Sequence, residues 1–413
     1  MRAVTGFPTG IGFEQACAII ADVAAAQRLE PEYLALARSH GRIAAEDVVA
    51  QFALPAFDNS AMDGFAFRHA DLGGVSRGSS RPDSLQLVGE QFAGPSLALS
   101  IAAGQCVRIT TGAPLPAGAD TVVMKENTRV EVDRIRLSPL PAAGAHVRRR
   151  GEDAQAGDLL LQRGCVLTPP RVALAAAAGS ERLLVARRPT AAVFTTGDEL
   201  VEPGLPLQAG QVYNSNRELL MGLLRRDGLE PTAWPTLPDD PVRIASVLAD
   251  AAAAFDVVLT CGAVSAGEKD HIPELLQRAG RVHFWKVRMK PGMPVLFGQL
   301  GRAQLLGLPG NPVAVLATYL TLGRTLLDGL QDRTEPRPRW HAQLANGFDK
   351  RNTRREFLRG RLLPGSDGRL QVAPNPADGS HRLVAAAQSD ALIVLPEGEQ
   401  RHATGDIVEV LPY

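Results

Sequence analysis

Three short apolar runs, each ending in a polar or glycine-containing loop, decide the fold class of this chain. They are residues 190–199 (TAAVFTTGDE), 256–263 (DVVLTCGA) and 302–312 (RAQLLGLPGNP). Helical patterns over residues 217–227 and 241–254 lie between the first two runs, and another follows the third. Strands that alternate with helices form a parallel sheet covered by helices on both faces. We therefore predict an α/β domain over residues 181–333.

The residues around this domain are predicted to form three smaller parts. Residues 1–50 and 147–180 show helical patterns, including one expected helix over residues 32–39, and we assign them to one helical or mixed linker domain. Short β-type runs alternate with Gly and Pro turns over residues 51–146, which indicates a small β-rich domain. Short strands return over residues 334–413, which indicates a second small β domain. The predicted fold class is multidomain, α/β plus β.

The composition is that of a globular protein with several domains, and it excludes some classes of function. The 413 residues are 45% hydrophobic and 21% charged, and Lys plus Arg equals Asp plus Glu at 44 each. Zero net charge argues against a broadly basic nucleic-acid-binding protein. We find no run of about 18 apolar residues and no apolar leader, so we expect neither a membrane span nor a secretory signal.

Cysteine and histidine give no sign of a disulfide framework or a zinc site. The four cysteines have no CxxC spacing, and the eight histidines have no HxH or HxxxH spacing. A cytoplasmic location is the default expectation for such a chain.

The carboxyl ends of the three predicted strands carry polar side chains. Their loops supply Thr195, Thr196, Asp198 and Glu199, then Ser265, Glu268 and Asp270, and finally Gly310 beside Asn311. Ligands of open α/β sheets bind at this edge, where backbone N–H groups suit phosphate and carboxylates suit Mg²⁺. The alternative for any single loop is an ordinary cap or turn, since Gly, Asp and Ser are common there.

Lysine is rare in this chain, and two of its five lysines lie close together. Lys286 and Lys290 are four residues apart within residues 285–292 (WKVRMKPG). In a strand, positions four apart share a face, so both ammonium groups would point the same way with Arg288 between them. Three like charges on one face favour a bound anion, and the alternative is a solvated edge strand protected by its charges.

Two further segments have unusual polar content without helical or strand periodicity. Residues 55–66 (PAFDNSAMDGFA) include Asp63, and residues 148–153 (RRRGED) include Asp153. Taken alone, the first pattern is typical of a structural loop and the second of a solvated face or hinge.

Nine motifs in a fixed order carry a resemblance to a known family. They are residues 55–66 (PAFDNSAMDGFA), 108–114 (RITTGAP), 149–153 (RRGED), 195–200 (TTGDEL), 214–217 (NSNR), 290–294 (KPGMP), 308–312 (LPGNP), 356–360 (EFLRG) and 392–398 (LIVLPEG). The chain resembles the molybdopterin molybdenumtransferase family, known as MoeA in bacteria and as the gephyrin E domain in animals. The resemblance covers nearly the whole chain.

The resemblance implies an architecture and an activity. It implies an elongated four-domain subunit that forms a homodimer, with a molybdopterin-binding α/β domain and a β-barrel-like C-terminal domain. The implied activity takes adenylylated molybdopterin, inserts molybdate at the dithiolene and releases AMP with the help of Mg²⁺. Implied partners are the molybdopterin adenylyltransferase and molybdoenzyme chaperones, with no role for nucleic acid or membrane.

The resemblance also implies roles for individual residues. It assigns catalytic roles to Asp63, Thr111, Asp153, Glu199, Asp239 and Asp270, of which Glu199, Asp239 and Asp270 would hold the metal. It assigns substrate and anion binding to Lys286, Lys290, Ser265, Gly310, Asn311, Arg359 and Ser380. Asp63 and Thr111 would reach the active cleft across the dimer, and Arg359 and Ser380 would help to hold molybdate.

Two departures from the family pattern leave other functions open. Ala263 stands where the family has glycine, and a left-handed backbone there would cost on the order of 1 kcal/mol or more. Met293 replaces a lysine, which removes one ammonium unless Arg288 compensates. The alternatives are a divergent paralogue with a weakened or altered site, a molybdopterin adenylyltransferase-like or nucleotide-amide hydrolase activity, or a scaffold protein of the gephyrin type. The preference between molybdate and tungstate also stays open.

Overall fold

The computed structural model describes residues 6–72, 84–265, 271–377 and 379–413. These residues form one seven-stranded sheet, two six-stranded sheets and several two-stranded pairs. Glu268 and Asp270, which we assigned to the second α/β loop, lie outside the described residues.

The first elements of the chain divide between two regions of the molecule. They are β1 (Thr9–Ile11), α1 (Phe13–Ala26), β2 (Glu32–Ala35), α2 (Leu36–Ser39) and β3 (Val48–Val49). Strand β1 pairs in parallel with the strand that contains Trp285. The buried face of α1, formed by Phe13, Ala16, Ile20 and Ala24 at helical spacing, packs into the core of the α/β region.

This packing differs from the grouping of residues 1–50 with residues 147–180. Residues 9–26 contribute to the α/β sheet and its core, whereas β2 and β3 pair with later strands of residues 147–185. The helix expected over residues 32–39 is wrong in its first half, because residues 32–35 pair in antiparallel register with residues 182–185. Pairing with a distant strand overrides the local helical pattern.

The next region is β-rich, as predicted. Its strands are β4 (Asn59–Ser60), β5 (Gly64–Phe67), β6 (Ser84–Gln91), β7 (Gln105–Ile109), β8 (Thr121–Met124), β9 (Thr128–Glu131) and β10 (Arg134–Leu137), with 3₁₀ turns at His69–Asp71 and Lys125–Asn127. Six of them form a sheet in the order β8-β5-β7-β6-β10-β9. Phe65, Phe67, Leu85 and Ile135 fill the core on one face of this sheet.

A small connecting region follows. Its elements are β11 (Val147–Arg148), β12 (Leu159–Leu161), α3 (Pro169–Ala177) and β13 (Arg182–Val185). Strand β11 pairs with β4, which brings the polar segment of residues 55–66 against that of residues 148–153. Strands β12 and β13 pair with β3 and β2 and enclose a separate core that includes Leu167 and Val172.

The α/β region contains the long sheet. Its elements are β14 (Ala191–Thr195), β15 (Leu200–Val201), β16 (Val212–Tyr213), α4 (Ser215–Arg226), β17 (Thr232–Ala233), α5 (Pro241–Ala254), β18 (Val257–Cys261), α6 (Ile272–Ala279), β19 (Arg281–Val287), β20 (Met289–Lys290), β21 (Leu296–Leu300), β22 (Ala303–Leu308), α7 (Pro312–Thr318), a π-helical turn (Tyr319–Gly323) and α8 (Arg324–Leu330). The sheet order is β1-β19-β21-β22-β18-β14-β17, and β14, β18 and β22 are parallel neighbours at its centre. Every residue of these three strands is buried, as their continuous apolar runs predicted.

The C-terminal region is a closed β-barrel. Its elements are β23 (Trp340–Leu344), β24 (Phe348–Lys350), β25 (Arg355–Pro364), β26 (Leu370–Pro374), α9 (Leu383–Ala387), β27 (Ala391–Leu395), β28 (Gln400–His402) and β29 (Ile407–Pro412). The order β25-β26-β23-β29-β27 closes because β27 also pairs with β25. Strand β20 of the α/β region adds to this barrel by pairing in parallel with β25.

Among the described residues, one helical stretch has the length and hydropathy of a membrane-spanning helix. It is Pro312–Leu330, and 72% of its most apolar window is buried inside the protein. The stretch contacts α1 and α4 within the α/β core, and such burial is typical of a core helix.

We predict that Ile20→Ala destabilises the protein by about 2–5 kcal/mol, because Ile20 is fully buried where α1 packs on the α/β core. Chemical denaturation measures this change in the free energy of unfolding. Val242→Ala is the matched control, since Val242 is 78% exposed on α5 and should change stability by less than about 0.5 kcal/mol. Equal effects of the two substitutions would contradict the assignment of α1 to the core.

Candidate active site

The loops that follow β14, β18 and β22 meet at one edge of the sheet and line a cleft of about 290 Å³. We call this the first cleft. Its walls include four residues assigned from the sequence, namely Glu199, Asp239, Ser265 and Gly310. Parallel strands place their carboxyl ends together, which explains why Glu199 and Gly310, 111 positions apart, share one surface.

A buried hydrogen-bond network involves residues that are sequence neighbours of the cleft residues Thr196 and Asn216. Asn214, which is 1% exposed, caps the start of α4 by accepting a hydrogen bond from the Arg217 N–H at 3.3 Å. Its amide donates to the hydroxyls of Thr195 at 2.7 Å and Thr236 at 3.0 Å. The network ties the start of α4 to the end of β14.

Asn216 joins two loops of the first cleft and was missed as a site residue. Its amide donates to the Gly310 carbonyl at 2.6 Å, and its side-chain oxygen is buried without a hydrogen-bond partner among the described residues. Because Asn216 also lines the cleft, that oxygen is an acceptor available to a ligand donor. The NSNR motif was the signal in the sequence, but motif membership alone did not show that its third residue faces the ligand.

Two carboxylates, Glu199 and Asp239, line the first cleft. Gly197 allows Glu199 to fold back, since a Cβ at Gly197 would lie 2.5 Å from a carboxylate oxygen of Glu199. The Asp239 N–H donates to an Asp198 carboxylate oxygen at 3.1 Å, and the next residue, Asp240, caps α5. The two acidic side chains are thus placed by backbone contacts of their loops.

The carboxylates of the first cleft suit Mg²⁺ only if water and substrate phosphates supply the other ligands of the ion. Among the described residues, no group of three or more His, Cys, Asp and Glu side chains could hold a metal ion. Mg²⁺ commonly takes one or two protein carboxylates and completes its shell with water and substrate phosphates. Glu199 and Asp239 meet that requirement, whereas Asp270 lies outside the described residues.

The loop after β18 is strained at Ala263. Ala263 has φ of 54°, which lies in the left-handed region that favours glycine. Alanine in this conformation therefore carries the expected cost in free energy, on the order of 1 kcal/mol or more. Gly262 before it has φ of 95°, and a Cβ there would lie 2.7 Å from the Thr196 hydroxyl. Cys261 is 2% exposed, and burial raises the pKa of its thiol, which disfavours the nucleophilic thiolate.

A second cleft of about 340 Å³ adjoins the first and shares Pro294 and Pro309 with it. It lies where the α/β region meets the barrel. Four residues assigned from the sequence line it, namely Lys290, Asn311, Arg359 and Ser380. Arg354, Glu356 and Met293 also line it. Of these, Met293 was discussed as a departure from the family pattern, Glu356 belongs to the quoted EFLRG motif, and Arg354 was not singled out from the sequence.

The strand expected over residues 285–292 is interrupted. Lys286, near the end of β19, has φ of 66°, and Arg288 separates β19 from β20, so the continuous strand that would place Lys286 and Lys290 on one face does not form. The Lys286 ammonium lies 4.3 Å from the centre of the Trp285 ring. Arg288 pairs with Glu397 at 3.2 Å, and Lys290 pairs with Glu356 at 2.9 Å. Contacts within the protein therefore relieve the expected repulsion.

Arg359 is 2% exposed and holds the loop that leads to Ser380. Its guanidinium donates to the carbonyls of Ala377 and Gly379. The Ser380 carbonyl accepts a hydrogen bond from the Val313 N–H at 3.1 Å, which places Ser380 at the start of α7. The barrel and the α/β region thus form one continuous wall here.

The remaining assigned residues lie elsewhere in the subunit. Asp63 and Thr111 bind each other, since the Thr111 N–H and hydroxyl donate to one Asp63 oxygen at 2.8 and 2.9 Å. The Thr111 N–H bond, more than any other contact, lowers the pKa of Asp63. Asp153 lines a separate open cleft of about 690 Å³ with Arg148 and Asn59. None of the three is among the residues that line the first or second cleft.

Three protein-family models match successive parts of the chain. They are the MoeA N-terminal region (domain I and II) over residues 11–179, a probable molybdopterin binding domain over residues 192–329, and the MoeA C-terminal region (domain IV) over residues 341–413. Together they span nearly all of the chain.

Curated relatives and a solved structure agree with these matches. The chain is 36% identical over 387 residues to the molybdopterin molybdenumtransferase of Haemophilus influenzae, covering 93% of this chain and 94% of that protein. It is 36% identical over 395 residues to the protein of the same name from Nostoc sp., covering 92% and 88%. The crystal structure of the molybdopterin biosynthesis protein moeA from Pyrococcus horikoshii matches with a TM-score of 0.82 at 26% identity, covering 98% of this chain and 100% of that one.

We predict that Ala263→Gly stabilises the protein by about 1 kcal/mol, because glycine removes the left-handed strain. The shift of the urea midpoint at constant m-value measures it. Ala18→Gly is the control, because Ala18 is exposed in the middle of α1 with helical backbone and should lose about 1 kcal/mol. A loss of stability in both variants would show that Ala263 is unstrained.

Proposed function

Because the chain belongs to the molybdopterin molybdenumtransferase family, we propose that it inserts molybdenum into adenylylated molybdopterin and releases AMP. The observation that supports this most directly is the contiguity of the two clefts across Pro294 and Pro309. A nucleotide-bearing substrate and an inorganic anion can then meet in one geometry, which removes most of the entropic cost of their encounter.

The two clefts divide the chemistry between them. In the first, water attacks the adenylyl phosphorus, the phosphoanhydride bond breaks, the molybdopterin phosphate leaves, and AMP is released with the oxygen of water. Near the second, the two dithiolene sulfurs bind molybdenum, and one molybdate oxygen leaves as water with two protons. No electron transfer is required. Asn216 and the backbone around Gly310 orient the nucleotide side, and Lys290, Asn311 and Ser380 face the anion side.

Glu199 and Asp239 are the residues that would hold Mg²⁺ in the first cleft. The ion supplies positive charge that offsets repulsion between phosphoryl oxygens and an incoming nucleophile. Asp270 stays a predicted third carboxylate of this site. The chain's own donors, including the loop N–H groups at the strand ends, bind and orient the phosphates.

The activity as a molybdenumtransferase is favoured over adenylylation of molybdopterin. The similarity to molybdenumtransferases covers 93% of the chain and includes the β-rich and barrel regions. An α/β domain alone would suffice for adenylylation, so the additional regions fit the proposed function better.

We also propose a cytoplasmic location, which the four unpaired thiols support. The molybdopterin adenylyltransferase and molybdoenzyme chaperones stay proposed partners, since the substrate must be supplied and the product passed on.

A homodimer would complete the site. Asp63 and Thr111 face solvent away from the first and second clefts, and the neighbouring Phe57 and Met62 are 47% and 42% exposed. Exposed apolar side chains beside a polar pair are typical of an interaction surface. We propose that Asp63 and Thr111 of one subunit approach the first cleft of a second copy.

We predict that Glu199→Gln and Asp239→Asn each lower AMP release by roughly 100-fold, because each removes a charge that holds Mg²⁺. Chromatographic assay of AMP during a Mg²⁺ titration measures this, and thermal stability should stay close to that of the wild type. Glu218→Gln is the control, since the Glu218 side chain is 64% exposed and lies outside both clefts. Wild-type turnover in both variants at every Mg²⁺ concentration would refute the assignment.

We predict that Asp63→Asn and Glu199→Gln complement each other between subunits. Each variant alone loses nearly all activity, but a heterodimer purified through two different affinity tags contains one intact site and should show about half of the wild-type activity. If the site is shared between subunits, a heterodimer with both substitutions in one subunit has no intact site. If both residues act within the same subunit, that heterodimer keeps one intact site. Inactive mixed heterodimers, or a monomer in solution, would contradict the shared site.

A further inference from the structure

The second cleft contains three cationic side chains and one carboxylate. The cations are Lys290, Arg354 and Arg359, and the carboxylate is Glu356. If the cleft binds an anion, the contribution of each cation depends on how far protein groups already satisfy its charge and its donors. The three differ in this respect.

The positive charge of Lys290 is offset by the negative charge of a carboxylate within the protein. Its ammonium lies 2.9 Å from a Glu356 oxygen, and Glu356 is 7% exposed. The other Glu356 oxygen accepts a hydrogen bond from the Asn352 amide, which fixes the carboxylate in place. An anion that approaches Lys290 therefore also meets the negative charge of Glu356, which weakens the net attraction.

Arg359 is committed to the backbone. Its two terminal nitrogens donate to the carbonyls of Ala377 and Gly379, and the residue is buried. Its main contribution is to hold the loop before Ser380, so it shapes the wall of the second cleft.

Arg354 is different from both. It is half-buried and lines the cleft, and its side chain makes no ion pair or hydrogen bond with any residue in the described part of the chain. Its backbone N–H donates to the Asn352 side chain at 3.1 Å, so the turn that carries it is fixed. Met293 in the same wall brings no charge, and Arg288, the compensating residue considered from the sequence, is bound to Glu397.

We propose that Arg354 is the principal anion-binding side chain of the second cleft and that it binds a small tetrahedral oxyanion. The guanidinium presents a planar fork of donors that suits two oxygens of such an anion. Under the proposed function, on which the identity of the anion rests, this oxyanion is molybdate. The phosphate of the nucleotide shares the same chemistry, and the experiment separates the two.

The test measures binding by isothermal titration calorimetry on the full-length protein, with sodium molybdate and with AMP as separate probes. Arg354→Gln should weaken molybdate binding by roughly tenfold to a hundredfold and leave AMP binding unchanged. Arg361→Gln is the matched control, because Arg361 is exposed on β25, the strand that follows Arg354, and lines neither cleft. Arg354→Lys should fall between the wild type and Arg354→Gln, since it keeps the charge and loses the fork.

Two variants that should increase molybdate binding distinguish a loss of charge in the cleft from a structural effect of the Arg354→Gln substitution. Met293→Lys in the Arg354→Gln background should restore part of the molybdate affinity by returning a cation to the cleft. Glu356→Gln should tighten molybdate binding, because it removes the charge that offsets Lys290, and a melting curve shows whether this variant stays folded.

Equal molybdate affinity in Arg354→Gln and Arg361→Gln would overturn the proposal, and so would loss of AMP binding in place of molybdate binding. Because these titrations need no turnover, Arg354-dependent molybdate binding without AMP release would support the proposal while refuting the proposed function.

Discussion

The two-residue strand β20 pairs with β25 of the barrel, and the rest of the site depends on this contact. Met289 and Lys290 leave the α/β sheet and align with Arg355 and Glu356, so the two regions share backbone hydrogen bonds. The side chains of Lys290 and Glu356 then form an ion pair at the same place. Breaking this pair would leave a buried carboxylate without its partner, which is strongly unfavourable. The junction therefore keeps the two clefts in a fixed relation.

Charge is distributed unevenly between the clefts although the chain has no net charge. The first cleft carries the carboxylates Glu199 and Asp239, and the second carries the cations Lys290, Arg354 and Arg359. This division suits a reaction in which phosphoryl groups need a divalent cation while an inorganic oxyanion needs direct donors. Pro294 and Pro309 lie in both walls, so the two environments stay adjacent without merging.

The parts predicted well from the sequence are those in which local pattern and final environment coincide. Strands β14, β18 and β22 are continuous apolar runs because they are buried on both faces. The parts predicted poorly depend on distant partners. Residues 32–35 form a strand because residues 182–185 pair with them, and residues 289–290 form a separate strand because residues 355–356 pair with them. Neither partner lies within the window in which periodicity is measured.

The sequence by itself determined the α/β class, the loops at the strand ends and the family, since these depend on apolar periodicity and on motifs of contiguous residues. Tertiary structure alone decided which charges are available to a ligand. Arg354 and Lys290 both carry a cation in the sequence, yet only Lys290 is offset by a carboxylate among the described residues. It also decided that Asp63 and Thr111 lie apart from Glu199 within one subunit. Electrostatic strength depends on distance and burial, and neither is fixed until the chain has folded.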